Sequence, residues 1–178
     1  MNPVLSQIVR TSKFLVAALL FGVIAFTAVA LAVGPVNPPP PPPAAGTPVG
    51  PFAGIEPLVL AMGALIVGQF PVLIFLGVAL SKQAAIMARN RASEPDARDL
   101  ALARLWMNAT ILRAALAEGA GLFGAVIVLL KGDTLGLIGV AFAVVVLAAL
   151  IPTRGRLENW IHRAVQTAAL SPNRGPSR

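Results

Sequence analysis

A chain of 178 residues that is 57% hydrophobic and 12% charged, with a mean hydropathy of +0.81, departs from soluble globular usage and reads as an integral membrane protein. The absence of cysteine excludes disulfides, thiolate catalysis and Cys-based zinc or iron–sulfur ligation. A net charge of +7 invites nucleic acid, but the basic residues sit where membrane topology needs them and no recognition module is visible, so no nucleic-acid partner is expected.

In chain order, residues 1–13 carry Arg10 and Lys13 ahead of a first apolar span over 14–34. Small residues at Ala28, Ala30 and Ala32 would allow signal cleavage, yet the run is long for a signal peptide and no lipobox cysteine exists, so a retained helix is expected. Residues 35–56 follow, with six prolines from Pro38 to Pro43. Proline holds φ and lacks the amide donor, which predicts an extended external strut; a stiff spacer is favoured over a docking strip for a partner.

The second span covers 57–80, but no helix breaker appears before Ser93-Glu94-Pro95, so its helix should run on past the apolar part. A new helix start is expected at Ser93, with proline in the first turn and Asp96 three residues after the cap. Residues 81–108 thus form a protruding helical hairpin leading into a third span, 109–130. Trp106 falls at aromatic-belt depth, and Arg113, about one turn inside, can snorkel outward.

Lys131-Gly132-Asp133 is a short turn into a fourth span over 134–152, closed by Pro152. Residues 153–170 place Leu157, Trp160, Ile161, Ala164, Val165 and Ala168 at helical spacing, the pattern of an interfacial amphipathic helix. Its membrane-surface residues Arg154, Arg156, Trp160 and Arg163 would rest on anionic headgroups, with 171–178 as a tail. His162, the single histidine, reads as a surface polar residue of this helix.

The expected fold is therefore all-α, with four transmembrane helices, a long cytoplasmic hairpin between helices two and three, and a C-terminal amphipathic helix. Basic residues before span one, between spans two and three and after span four put both termini and the hairpin in the cytoplasm. The Ala/Arg/Pro-rich usage is compatible with a bacterial inner membrane.

The stretch LRAALAEGAGLFGAVIVLL, 112–130, holds Glu118 near the centre of span three. An ionised carboxylate there costs at least about 3 kcal/mol, so it must be protonated, paired or wetted. Gln69, near the centre of span two, is the expected partner at the same depth, and Gly68 and Pro71 beside it predict a bend. Ala114, Ala117, Ala120, Gly121 and Gly124 recur at intervals of three or four, a face on which another backbone can approach closely.

The segment ALAEGAGLFGAVIVLL, 115–130, resembles the carboxylate helix of the ring-forming c (proteolipid) subunit of rotary ATPases. A glutamine on the preceding helix and the Arg/Pro-containing turn ARNRASEP extend the likeness over about residues 60–130. The resemblance implies that Glu118 would bind an ion and that Gln69 would help to coordinate it. The chain also resembles uncharacterised four-span bacterial membrane proteins with an E-G-x-x-L-F-G helix and a Pro-Thr after the last span, here Glu118 to Gly124 and Pro152-Thr153.

No catalytic residues, metal ligands or cofactors are expected, because the spans carry no histidine, Ser-Lys pair, Asp pair or phosphate loop. The expected function is that of a structural or accessory subunit of a larger membrane complex, an energy-transducing one included. The alternative is a c-like subunit handling protons or cations through Glu118. Expected partners are the bilayer with its anionic headgroups, and other membrane subunits or further copies of the chain.

Overall fold

A computed structural model describes residues 3–36, 57–91 and 93–170. Every regular element among them is helical: α1 (Pro3–Val33), α2 (Pro57–Asn90), α3 (Pro95–Lys131), α4 (Gly136–Leu150) and α5 (Arg154–Leu170). The proline run Pro38–Pro43 and the tail 171–178 lie outside the described residues.

Helices α1, α2 and α3 are long and apolar enough to cross a membrane. The fourth expected span is shorter than the sequence pattern implied. Only 15 residues of 134–152 are helical, a rise of about 22 Å against the ~30 Å of hydrocarbon that a spanning helix must cover. Its axis then turns by 72° into α5, and the count reaches four only if this bent pair is taken as one span.

The helix ends follow local chemistry. As expected, α2 runs past its apolar part to Asn90, and it continues through Pro71 as one helix. The start of α3 is one residue later than expected: Arg98 N–H donates to Glu94 O, so Glu94 occupies the cap and Pro95 the first helical position. Gly132, at φ 68°, ends α3 in the left-handed conformation and donates to Val128 O. Gly34 ends α1 in the same way, at φ 75°.

Two compact units emerge, and α1, α2 and α3 each contribute residues to both. The first comprises Met1–Val16, Val72–Arg113 and Ile151–Arg178. Its core gathers Ile8 and Val9 from α1, Ala84 and Ala88 from α2, Leu102 and Ala103 from α3, and Leu157, Ile161 and Ala164 from α5. Ala84 and Ala88 stand one turn apart, and their small side chains admit the larger Leu102 and Leu157, both fully buried. Each buried leucine contributes about 1.5–3 kcal/mol.

The amphipathic pattern expected of residues 153–170 is present in α5, with Arg154, Arg156 and Arg163 on its exposed side. Its apolar stripe is consumed by the protein: Leu157, Ile161 and Ala164 are in the core, and Trp160, Val165 and Ala168 pack against it. Trp106 packs on the same cluster, so it is only partly available to a membrane interface. Thr153 caps α5, its hydroxyl accepting from Arg156 N–H at 3.4 Å. Buried Ser12 and Thr110 each donate to the carbonyl one turn back, Ile8 O and Trp106 O.

The second unit comprises Ala17–Pro71 and Ala114–Leu150. Here helices meet backbone to backbone. A Cβ added to Gly121 would stand 2.5 Å from Ala143 Cβ and 3.0 Å from Val23 Cγ1, and one on Gly124 would collide with the Gly136 carbonyl oxygen. At Gly139 the obstacles are Met62 Sδ at 2.8 Å and Ala120 O at 2.9 Å. The Phe70 and Phe142 rings add a tilted contact between α2 and α4, their centroids 6.0 Å apart.

Candidate functional site

The polar groups that the sequence places in mid-span belong to the second unit. Gln69 is 6% exposed, and its Nε2 donates to Leu116 O across 2.8 Å, tying α2 to the α3 backbone. Because Leu116 O can only accept, this bond orients the amide and turns Oε1 away from it. Oε1 is buried with no hydrogen-bond partner among the described residues. An unsatisfied buried acceptor of this kind costs about 1–3 kcal/mol.

The expected side-chain pair between Gln69 and Glu118 is therefore replaced by a side chain-to-backbone bond. Residues two apart in sequence are about 200° apart around a helix, so the face of α3 that presents Leu116 O to α2 sends residue 118 elsewhere. Glu118 turns toward α1, where a Cβ on Gly22 would lie 3.7 Å from its Oε1. It is partly exposed and makes no hydrogen bond among the described residues. Gln69 of α2 meets α3 at Leu116, two residues before Glu118, and no hydrogen bond among the described residues joins the two side chains into a ligand pair.

The five small residues of α3 are brought together as the spacing predicts: Ala114, Ala117, Ala120, Gly121 and Gly124 are all buried. Their partners are inside the chain. Gly121 meets α1 at Val23 and α4 at Ala143, while Gly124 meets α4 at Gly136, Gly139 and Val140. The sequence reading missed the α4 side of this contact, although Gly136, Gly139 and Ala143 show the same three- and four-residue spacing. It also missed Gly22, whose role opposite Glu118 depends on the rotational phase of α1.

In the first unit, Arg113 Nη2 lies where a Cβ on Gly77 would be 3.4 Å away. Helical side chains lean toward the N-terminus, here toward the α2–α3 turn, which is the direction expected of a snorkelling arginine. Along α5, Arg154, Arg156 and Arg163 are exposed and Trp160 is partly buried. Arg154 Nε pairs with Glu158 Oε1 at 2.9 Å, and Arg163 Nε donates to Asn159 O. His162 Nε2 lies 2.9 Å from Gln166 Nε2 on the exposed side of this helix.

Among the described residues, no three His, Asp or Glu side chains come together in a metal-binding group. No family model, curated protein or solved structure matches the chain.

Proposed function

We propose that the chain is a non-enzymatic integral membrane protein acting as a structural or accessory subunit of a larger membrane assembly. The observation that carries this reading is the unequal use of its apolar helices. In their most apolar windows α3 is 44% buried and α2 only 11%, with Leu65, Val67, Phe70, Val72, Ile74, Phe75 and Val78 exposed along α2. The small face of α3 is already filled by α1 and α4 of the same chain, so it is not offered to a neighbouring copy as a c-like ring would require. The apolar flank of α2 is the surface left for lipid and for other subunits.

In this reading α4 completes a fourth crossing, with both termini and the hairpin 81–108 in the cytoplasm of a bacterial inner membrane. One hydrogen bond and one shared core support it. Val36 N–H donates to Leu129 O beside the C-terminal ends of α1 and α3, where α4 starts, whereas Leu157 and Ile161 of α5 pack with Ile8 and Leu102 near the N-terminal ends. Native mass spectrometry of the protein taken from its own membrane in mild detergent tests the assignment. One or two copies among different subunits are expected; a closed ring of identical chains would overturn it.

A second reading, a proton- or cation-handling subunit, is favoured by one feature, the carboxyl of Glu118 standing opposite Gly22 with no hydrogen-bond partner among the described residues. Under that reading Glu118→Gln abolishes ion flux in reconstituted vesicles and leaves assembly unchanged. Unchanged flux in a correctly assembled variant removes it.

A further inference from the structure

Where the apolar part of α2 gives way to polar sequence at Ser81, two adjoining grooves open along α2 and α5, with volumes of about 310 and 350 Å³. They share Ser81 and Thr167 in their walls; Trp160 and Arg163 line one, Lys82 and Arg89 the other. The spacing explains the convergence. Positions 160, 163 and 167 follow one face of α5, and 82, 86 and 89 one face of α2.

Among the described residues no acidic side chain lines either groove, and α2 carries none along its whole length. The single acid of α5, Glu158, is paired with Arg154. Immediately below, on the same side of α2, Val78, Phe75 and Ile74 are 50%, 74% and 67% exposed. Cations from two helices, Lys82 and Arg89 on α2 and Arg163 on α5, stand above an exposed aliphatic and aromatic track and match the two halves of one molecule: a phosphate headgroup and its acyl chains.

We infer that this furrow is a binding site for an anionic phospholipid, its headgroup phosphate held between Lys82 and Arg163 with Arg89 alongside, and its acyl chains lying on Val78, Phe75 and Ile74. Lys82 supplies a point charge, while Arg163, whose Nε donates to Asn159 O, lines the groove and has further guanidinium donors to offer a phosphate. An acidic peptide would use the cations but gain nothing from the apolar track. The inference rests on the membrane-spanning reading of α2 and is independent of the subunit role.

The test uses the full chain in neutral detergent, titrated with phosphatidylglycerol, phosphatidylcholine, inorganic phosphate or polyglutamate and read by native mass spectrometry. The wild type is expected to retain phosphatidylglycerol in preference to phosphatidylcholine. At about fivefold per cation, Lys82→Ala with Arg163→Ala should cut that preference by about 25-fold. The pair Arg10→Ala with Lys13→Ala, exposed on α1 and outside both grooves, should leave it unchanged.

An equal loss in both double variants, no preference in the wild type, or competition by inorganic phosphate or polyglutamate at concentrations similar to the lipid would overturn the site. Release of the wild type from membranes by alkaline carbonate alone would instead overturn the spanning reading on which the site depends, so the two failures are distinguishable.

Discussion

Around Leu102 the helices meet through aliphatic side chains set against alanines, as in a bundle that folds in water; around Gly124 they meet with almost no side chain between their backbones. On the proposed membrane-spanning reading, the difference follows from what each solvent supplies. Water drives leucine and isoleucine together, whereas hydrocarbon gives apolar surfaces no reason to leave it, so helices there associate by close approach and dispersion. The first unit carries the hairpin and the amphipathic α5, and the second carries the small-faced part of α3. One chain thus uses two packing rules along the same three long helices.

The largest expected effect lies in the first unit. Leu102→Ala empties a fully buried site and should cost about 2–5 kcal/mol; because α5 packs on this core, proteolysis between α4 and α5 should accelerate as well. Unchanged thermal stability in detergent would mean that this core is not packed as in a soluble bundle.

Next in size is Gly124→Val, which drives a branched side chain into the Gly136 backbone and should cost about 1–3 kcal/mol or more. Gly119, with nothing within 4 Å of an added Cβ, is the matched control. Gly119→Ala should be neutral or stabilise by up to about 1 kcal/mol. Equal effects at the two positions would break the distinction between contact and non-contact glycines in α3.

The smallest effect is expected at Gln69→Leu. This change removes one hydrogen bond to Leu116 O but also an unsatisfied buried oxygen, so the two nearly cancel and stability should move by less than about 1 kcal/mol. A loss well beyond that, measured by unfolding in detergent, would show that Oε1 has a partner in the folded protein and that the polar contact matters more than the small-residue packing around it.

Much of the architecture was legible before any coordinates. Apolar run length and the Ser93-Glu94-Pro95 breaker located α2, α3 and their hairpin to within a residue or two, because backbone hydrogen bonding and proline geometry are local, whereas α1 begins at Pro3, well ahead of the apolar run expected over 14–34. The burial of Ala114, Ala117, Ala120, Gly121 and Gly124 was equally readable from spacing. The pairing of Gln69 with Glu118 was not, since sharing a depth says nothing about rotational phase, and the phase of α3 directs Leu116 O to α2 and Glu118 to α1.

The amphipathic stripe of α5 shows the same limit. Sequence alone determined that residues 154–170 have one apolar face, and that this face must be covered by something other than water. Whether the cover is lipid or protein depends on where the chain returns after α4, and the tertiary structure decided for protein by setting Leu157, Ile161 and Ala164 against Ile8, Ala84 and Leu102. Likewise, composition determined that the chain is apolar enough for a membrane, while only the folded structure decided that α4 stops after 15 residues and bends by 72°, because that end is a matter of packing and turn geometry rather than hydropathy.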